Sequence, residues 1–279
     1  MTARYAGPVD PARFGEYAIR RTPDDPRPLY RFAGRVTADG SSGFRTEPGR
    51  YHVYAGWFCP WSQRVTLQRA LNGLEDVVSV SYVDNARDGR GWAFRETHGP
   101  DPVNGFTLLR EAYEATEVGF DGHISVPTLW DRETRRVVSN DYRTIGLDLA
   151  TEFRAFGNGV DTYPAPLRTE IEQLDTWVGP AVNQGGPGSA RDEALRRLDE
   201  RLAGHRYLVG SEVTEADVRL WVTLVRLPQV SEYPNLWGYA RDLYRRPAFA
   251  ATTDFASFTV PGTRPLDWAQ PHDRARLAA

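Results

Sequence analysis

Cys59 is the only cysteine of the chain, and its neighbours are those of a reactive thiol. It follows an apolar run that predicts a strand, and it precedes Pro60, which suits the first position of a helix. A thiol at a helix start faces free backbone N–H groups. Their dipoles favour the thiolate and lower its pKa by roughly one to several units from about 8.5. The sequence therefore predicts a nucleophile; the alternative is a buried, inert cysteine.

Ser62 stands where dithiol oxidoreductases carry a second, resolving cysteine. A disulfide formed at Cys59 must therefore be resolved by another thiol from solution. A single cysteine also excludes an internal disulfide and a cysteine-based zinc site. The five histidines show no metal-ligand spacing, so we expect no metal, and the absence of lysine excludes a lysine nucleophile.

The elements that position Cys59 alternate between strand and helix signals. β-branched and apolar runs predict strands, whereas apolar residues three or four apart predict helices. The predicted elements are strand 51–55, a helix from Pro60 that stops at Asn72-Gly73, strand 77–83, helix 104–116, strand 124–130, strand 136–139 and helix 140–153. This order, β-α-β-α-β-β-α, is that of a thioredoxin-like α/β unit.

The second half of the sequence predicts an all-α unit. Apolar residues recur at helical spacing over 167–178, 195–202, 216–227 and 235–246, and Pro247 is expected to end the last helix. Residues 214–217 resemble a capping box. We expect four regions, which are an irregular N-terminal extension over 1–50, a thioredoxin-like thiol-binding domain over 51–157, an all-helical domain over 163–256 and a C-terminal tail over 257–279.

Two further segments are predicted to complete a thiol site. In thioredoxin-like folds the proline at the place of Pro127 is cis and opposite the cysteine, at little cost. It exposes the N–H and C=O of Val126 to an extended thiol peptide. Asp141 precedes a helix, where a carboxylate and free N–H groups suit the ammonium and carboxylate of a γ-glutamyl group. The alternatives are an edge-strand proline and an ordinary N-cap.

Trp92 and Arg110 are two more candidates. Trp92 could form a wall of the pocket, and Arg110 could pair with a carboxylate of a thiol cofactor; the alternatives are a core tryptophan and a solvated charge.

The net charge of −3 is spread along the chain, so no nucleic-acid or membrane surface is predicted. Because no long apolar run or signal pattern is present, we expect a cytoplasmic protein.

Several segments of the chain form a recognisable set. Those in the first half are Gly56-Trp57-Phe58-Cys59-Pro60-Trp61-Ser62-Gln63-Arg64, 73–77, 91–94, 126–131 and 138–141. Those in the second half are 161–168, 206–210, 214–220 and 233–244. Together they resemble the glutathionyl-hydroquinone reductases, also called Xi-class glutathione transferases and related to the Omega class. The resemblance covers about residues 50–256.

This resemblance implies a thioredoxin-like domain, an all-helical glutathione transferase domain and a homodimer. It also implies that the Cys59 thiolate attacks the sulfur of a glutathionyl-hydroquinone, releasing hydroquinone and leaving a mixed disulfide with glutathione. A second glutathione then frees the enzyme. The residues implied to contact the thiol are Trp92, Arg110, Val126 with Pro127, Asp141 and Tyr142.

The sequence departs from the family both in the residues that would bind the thiol and in those that would bind the aromatic substrate. The family usually has Glu-Ser where Asp141-Tyr142 stand, and tyrosines associated with the aromatic substrate are missing around 184–189 and 258–260. The thiol half of the mechanism is retained, whereas hydroquinone specificity is open.

Three alternatives for the function follow. The arginine-only composition is typical of a GC-rich genome and makes mycothiol an alternative to glutathione. A conjugating or dehalogenating transferase and a non-catalytic binding module of the same fold are the other readings.

Overall fold

A four-stranded sheet forms the centre of the first of two compact units, Met1–Gly159 and Val160–Ala279. The computed structural model describes residues 3–19, 26–259, 262 and 266–268. The strands are β1 (Tyr51–Ala55), β2 (Ser79–Tyr82), β3 (Thr128–Asp131) and β4 (Arg136–Ser139). Their order is β2-β1-β3-β4, with β1 parallel to β2 and antiparallel to β3. A parallel neighbour requires a crossover, so the chain must leave β1 through a helix.

The helices of this unit flank the sheet. They are α1 (Pro11–Phe14), α2 (Pro60–Leu71), α3 (Arg110–Thr116) and α4 (Tyr142–Thr151). From β1 to α4 the predicted order of elements is confirmed, and the thioredoxin-like fold with it. Helices α2 and α4 pack against each other, which brings the residues at their N-terminal ends together.

The helix predicted from residue 104 begins only at Arg110. The carboxylate of Asp101 accepts hydrogen bonds from the N–H groups of Val103, Asn104 and Phe106, which holds this stretch in turns. The helix starts only after this turn, at Arg110. The helical spacing of the apolar residues therefore placed the start of this helix too early in the sequence.

Over its described residues, 3–19 and 26–50, the N-terminal extension has no helix or strand other than α1, yet it packs into the first unit. Val36 is fully buried in the core beside β1. Its N–H donates to the carboxylate of Asp148 on α4 over 2.9 Å. An isolated bridge joins Ala33 to Ser139 on β4. The structured part therefore begins well before residue 50.

The second unit is helical. Its helices are α5 (Arg168–Val178), α6 (Ser189–Ala203), α7 (Glu215–Leu224), α8 (Pro234–Tyr244) and α9 (Pro247–Ala251). The predicted capping box is present at the start of α7, where Asp217 accepts from the N–H of Thr214 over 2.7 Å. The expectation that Pro247 ends the last helix is incomplete, because this proline also starts α9. No helix among the described residues is both long and apolar enough to cross a membrane.

Candidate active site

Cys59 is the N-cap residue of α2, as its sequence position predicts. Its sulfur accepts a hydrogen bond from the N–H of Ser62 over 3.5 Å, and its thiol donates to the C=O of Val126, also over 3.5 Å. The N–H contact stabilises the thiolate, whereas the carbonyl contact requires the protonated thiol. The side chain is 7% exposed, so a small part of it reaches solvent.

The turn that carries Cys59 is held by local hydrogen bonds. The Cys59 N–H donates to the C=O of Gly56 over 3.0 Å, and the Gly56 N–H donates to the Ser62 hydroxyl over 3.1 Å. A Cβ on Gly56 would lie 2.6 Å from the ring of Phe58, so any other residue there would require this ring to move. Ser62 thus supports the turn from the position where other enzymes carry a resolving thiol.

Val126 lies opposite the sulfur, and the Val126–Pro127 peptide bond is cis, as predicted. Tyr113 supports the loop around this bond. Its hydroxyl accepts the N–H of Ser125 over 3.2 Å and lies 2.8 Å from the hydroxyl of Thr128. Among the described residues the Val126 N–H has no hydrogen-bond acceptor. This donor and the neighbouring C=O form a short edge that an extended thiol peptide can pair with.

Aromatic rings line both flanks of Cys59. Phe58 packs on Trp92 with ring centroids 4.5 Å apart. On the other side Trp61 stacks on Tyr142 at 4.6 Å and 17°. The structure therefore packs Trp92 and Tyr142, two predicted site residues, against the aromatic residues on either side of Cys59 in the sequence.

Asp141 is the N-cap of α4, and its carboxylate is already occupied. It accepts from the backbone N–H of Arg143 over 3.0 Å and from the guanidinium of Arg143 over 2.9 and 3.0 Å. An ammonium group bound there must share or displace this cation. The sequence indicated Asp141 and gave no sign that Arg143 would fold back onto it.

Tyr30 is a second residue that the sequence did not indicate. Its ring meets that of Tyr142 edge-on, with centroids 6.2 Å apart. Burial raises the pKa of the Tyr30 hydroxyl, and the nearby Tyr142, Asp141 and Cys59 raise it further. The N-terminal extension therefore supplies a side chain to the surroundings of the thiol. No periodic pattern marks this segment, so no sequence signal pointed to it.

Arg110 is the first residue of α3, and its side chain is 30% exposed. It lies 3.9 Å from Glu114 in a loose ion pair. Its charge acts, together with that of Arg87, on the hydroxyl of Tyr17. Arg110 is therefore available on the Trp92 side of the site, although it does not contact Cys59 through any hydrogen bond among the described residues.

A thioredoxin-like unit followed by an all-helical unit is the architecture of the glutathione transferases, and here a cysteine lies at the start of α2. Residues 189–242 match the family model "Glutathione S-transferase, C-terminal domain". The chain is 35% identical over 262 residues to the glutathionyl-hydroquinone reductase YqjG of Escherichia coli, covering 80% of this chain and 79% of the relative. It is 38% identical over 224 residues to the glutathionyl-hydroquinone reductase PcpF of Sphingobium chlorophenolicum, covering 70% and 72%.

A glutathione-bound structure of YqjG from Escherichia coli K-12 has the same fold. It superposes with a TM-score of 0.80 at 32% identity and covers 87% of this chain and 96% of that one. The chain belongs to the family of glutathionyl-hydroquinone reductases, the Xi class of glutathione transferases.

Proposed function

We propose that Cys59 removes a glutathionyl group from aromatic S-conjugates, glutathionyl-hydroquinones above all. The Cys59 thiolate attacks the glutathione sulfur, and the bond between that sulfur and the ring carbon breaks. The ring carbon keeps the electron pair and takes a proton, giving the reduced hydroquinone and a Cys59–glutathione disulfide. A second glutathione thiolate attacks this disulfide, restores Cys59 and leaves as oxidised glutathione.

The placement of the Cys59 sulfur carries this proposal. The sulfur accepts the N–H of Ser62 at the start of α2, which favours the anion that attacks. It also lies 3.5 Å from the C=O of Val126, the edge with which the peptide of the conjugate would pair. Ser62 cannot resolve a disulfide, so the second thiol must come from solution.

The direct test is mass spectrometry of the intact protein after brief exposure to a glutathionyl-hydroquinone. We expect one glutathionyl group on Cys59 and its loss when free glutathione is added. Cys59→Ser is the matched control, because it removes the sulfur with little change in volume, and it should show neither adduct nor hydroquinone release. Thermal unfolding of both proteins checks that the fold is kept. Turnover by Cys59→Ser would refute the mechanism.

The Arg143–Asp141 pair favours a second candidate, in which mycothiol replaces glutathione. In glutathione the ammonium group competes with Arg143 for the carboxylate of Asp141, whereas a thiol without a free ammonium does not. Parallel assays with both thiols, each with an S-conjugate and with an activated aryl halide, separate the reductase from a conjugating or dehalogenating transferase. Faster reaction with mycothiol, or product in which the thiol stays on the ring, would favour the second candidate.

A homodimer and a cytoplasmic location complete the proposal, in line with the expectations from sequence. Light scattering coupled to size-exclusion chromatography measures the first, and cell fractionation of the native host measures the second. A monomer at the concentrations used for assays would remove the dimer from the proposal without affecting the chemistry at Cys59.

A further inference from the structure

Arg87 is a cation held between two aromatic rings. Its guanidinium carbon lies 4.1 Å from the ring centroid of Tyr17 and 4.3 Å from that of Trp92. Within the part of the chain that the structure describes, the guanidinium has no carboxylate partner and makes no hydrogen bond. Arg87 is half-buried, and this burial lowers the pKa of its guanidinium group. A half-buried cation of this kind has unused donors that suit an anion.

Two chains of contacts connect Arg87 with the thiol. Trp92, on one face of the guanidinium, packs against Phe58, which precedes Cys59. Tyr17, on the other face, has a hydroxyl that accepts the N–H of Ile124 over 3.0 Å, two residues before Val126. Arg87 is therefore linked through Trp92 to the Cys59 turn and through Tyr17 to the segment that leads into Val126.

A second cation faces the same place. The charges of Arg87 and Arg110 both lower the pKa of the Tyr17 hydroxyl, so both guanidinium groups are close enough to act on the same site. Tyr17 is also 3.1 Å from Nδ1 of His123, whose pKa is lowered to about 4 by burial and by Arg87, so this histidine is neutral near pH 7 and adds no charge. Two arginines thus converge, and the only acidic partner of either among the described residues is Glu114, at 3.9 Å from Arg110.

We propose that Arg87, held in place by Tyr17 and Trp92, binds the terminal carboxylate of the thiol co-substrate together with Arg110. This inference rests on the proposed function, because the carboxylate belongs to the thiol that pairs with Val126. An extended thiol peptide centred on Val126 has one end near Asp141 and the other near Arg87. The charges fix its direction, with the ammonium towards Asp141 and the carboxylate towards Arg87. Arg87 is a specificity-determining residue, and Tyr17 of the N-terminal extension positions it.

The test compares glutathione with its glycine monoethyl ester, which keeps the peptide and lacks the terminal charge. For the wild type we expect a KM for the ester about tenfold or more above that for glutathione, since a charge-assisted pair is lost. Arg87→Gln should raise the KM for glutathione by a similar factor, leave that for the ester within about twofold, and change kcat little. Arg136→Gln is the matched control, because it removes an exposed arginine on β4 and should change neither constant.

Direct binding of glutathione, measured by the quenching of tryptophan fluorescence, distinguishes the inference about Arg87 from the proposed function. If the wild type turns over glutathione and Arg87→Gln keeps the wild-type preference over the ester, the inference is overturned and the proposed function stands. If the wild type binds glutathione in an Arg87-dependent way without turnover, the inference stands and the proposed function fails. Absence of both binding and turnover overturns both.

A second variant guards against local misfolding. Tyr17→Leu removes the ring that covers Arg87 and leaves the guanidinium in place. We expect a higher KM for glutathione than in the wild type, a nearly unchanged KM for the ester and a normal thermal unfolding profile. An equal rise for glutathione and ester would mean that Tyr17 only supports the loop at Ile124, and it would remove Tyr17 from the carboxylate subsite.

Discussion

Replacing Arg143 by serine is predicted to strengthen glutathione binding. Arg143 covers the carboxylate of Asp141 with two guanidinium hydrogen bonds. Its own side chain is 58% exposed, whereas that of Asp141 is 13% exposed. A pair with one such exposed partner contributes at most about 1 kcal/mol. The γ-glutamyl ammonium would form a charge-assisted bond of about 1.5–3 kcal/mol with the same carboxylate.

The competition between these two cations sets the size of the effect. Without Arg143, glutathione no longer has to displace this ion pair, so its binding free energy should become more favourable by up to about 1 kcal/mol. This corresponds to about a fivefold lower dissociation constant of glutathione. Asp141→Asn should do the opposite and raise it about tenfold. Asparagine caps a helix as well as aspartate does, so α4 should stay intact in this variant.

The assay measures dissociation constants of glutathione and of N-acetylglutathione, which lacks the ammonium. Neither variant should alter the second constant by more than about twofold, because the acetylated thiol has no charge for Asp141 to bind. Weaker glutathione binding in Arg143→Ser would show that the guanidinium helps to bind the thiol. Parallel changes for both thiols would show that Asp141 does not bind the ammonium group.

Two further predictions concern the turn at Cys59 and the core. Ser62→Cys supplies the missing resolving thiol, so the glutathionyl adduct on Cys59 should disappear without added glutathione, and mass spectrometry should show an internal disulfide instead; a persistent adduct would contradict this. Burial lowers the pKa of His52 to about 3, while its ring lies 2.7 and 2.8 Å from two serine hydroxyls of β2. The unfolded chain binds a proton near pH 6.5 and the folded chain does not, so stability should fall as the pH drops below 6.5. Urea unfolding should show a loss of about 2 kcal/mol between pH 6.5 and 5, reduced in His52→Gln; an equal loss in that variant would exclude His52.

The strand, cysteine and helix at the site could be predicted because their signals are local. The pair Cys59-Pro60 and the position of Asp141 before α4 are features of a few consecutive residues. In the structure Cys59 is the N-cap of α2 and Asp141 is the N-cap of α4. The cis bond before Pro127 followed from the same fold. Where spacing alone was used, the prediction started the helix too early, at residue 104. Hydrogen bonds to the carboxylate of Asp101 hold this segment in turns, and apolar spacing does not reveal such side-chain contacts.

The contacts that were missed join residues far apart in the chain. Tyr17, Arg87 and Trp92 meet face to face, although 70 residues separate Arg87 from Tyr17 along the sequence. Val36 and Tyr30 are single apolar residues in a stretch rich in proline and arginine, so no period identified them as packed. Side-chain pairing such as that of Arg143 with Asp141 depends on rotamers, which composition and spacing do not determine.

The carbonyl of Val126 connects the binding of the thiol peptide with the ionisation of Cys59. This oxygen accepts a hydrogen bond from the protonated thiol over 3.5 Å. When the backbone N–H of a thiol peptide pairs with Val126, the thiol must share this oxygen, so we expect the protonated form of Cys59 to be less well stabilised. The N–H of Ser62 still faces the sulfur and stabilises only the anion. We therefore expect binding of the thiol peptide to shift Cys59 towards the thiolate. Iodoacetamide labelling of Cys59 across a pH series should show this as a lower apparent pKa with bound S-methylglutathione than without it, and an unchanged midpoint would refute the coupling.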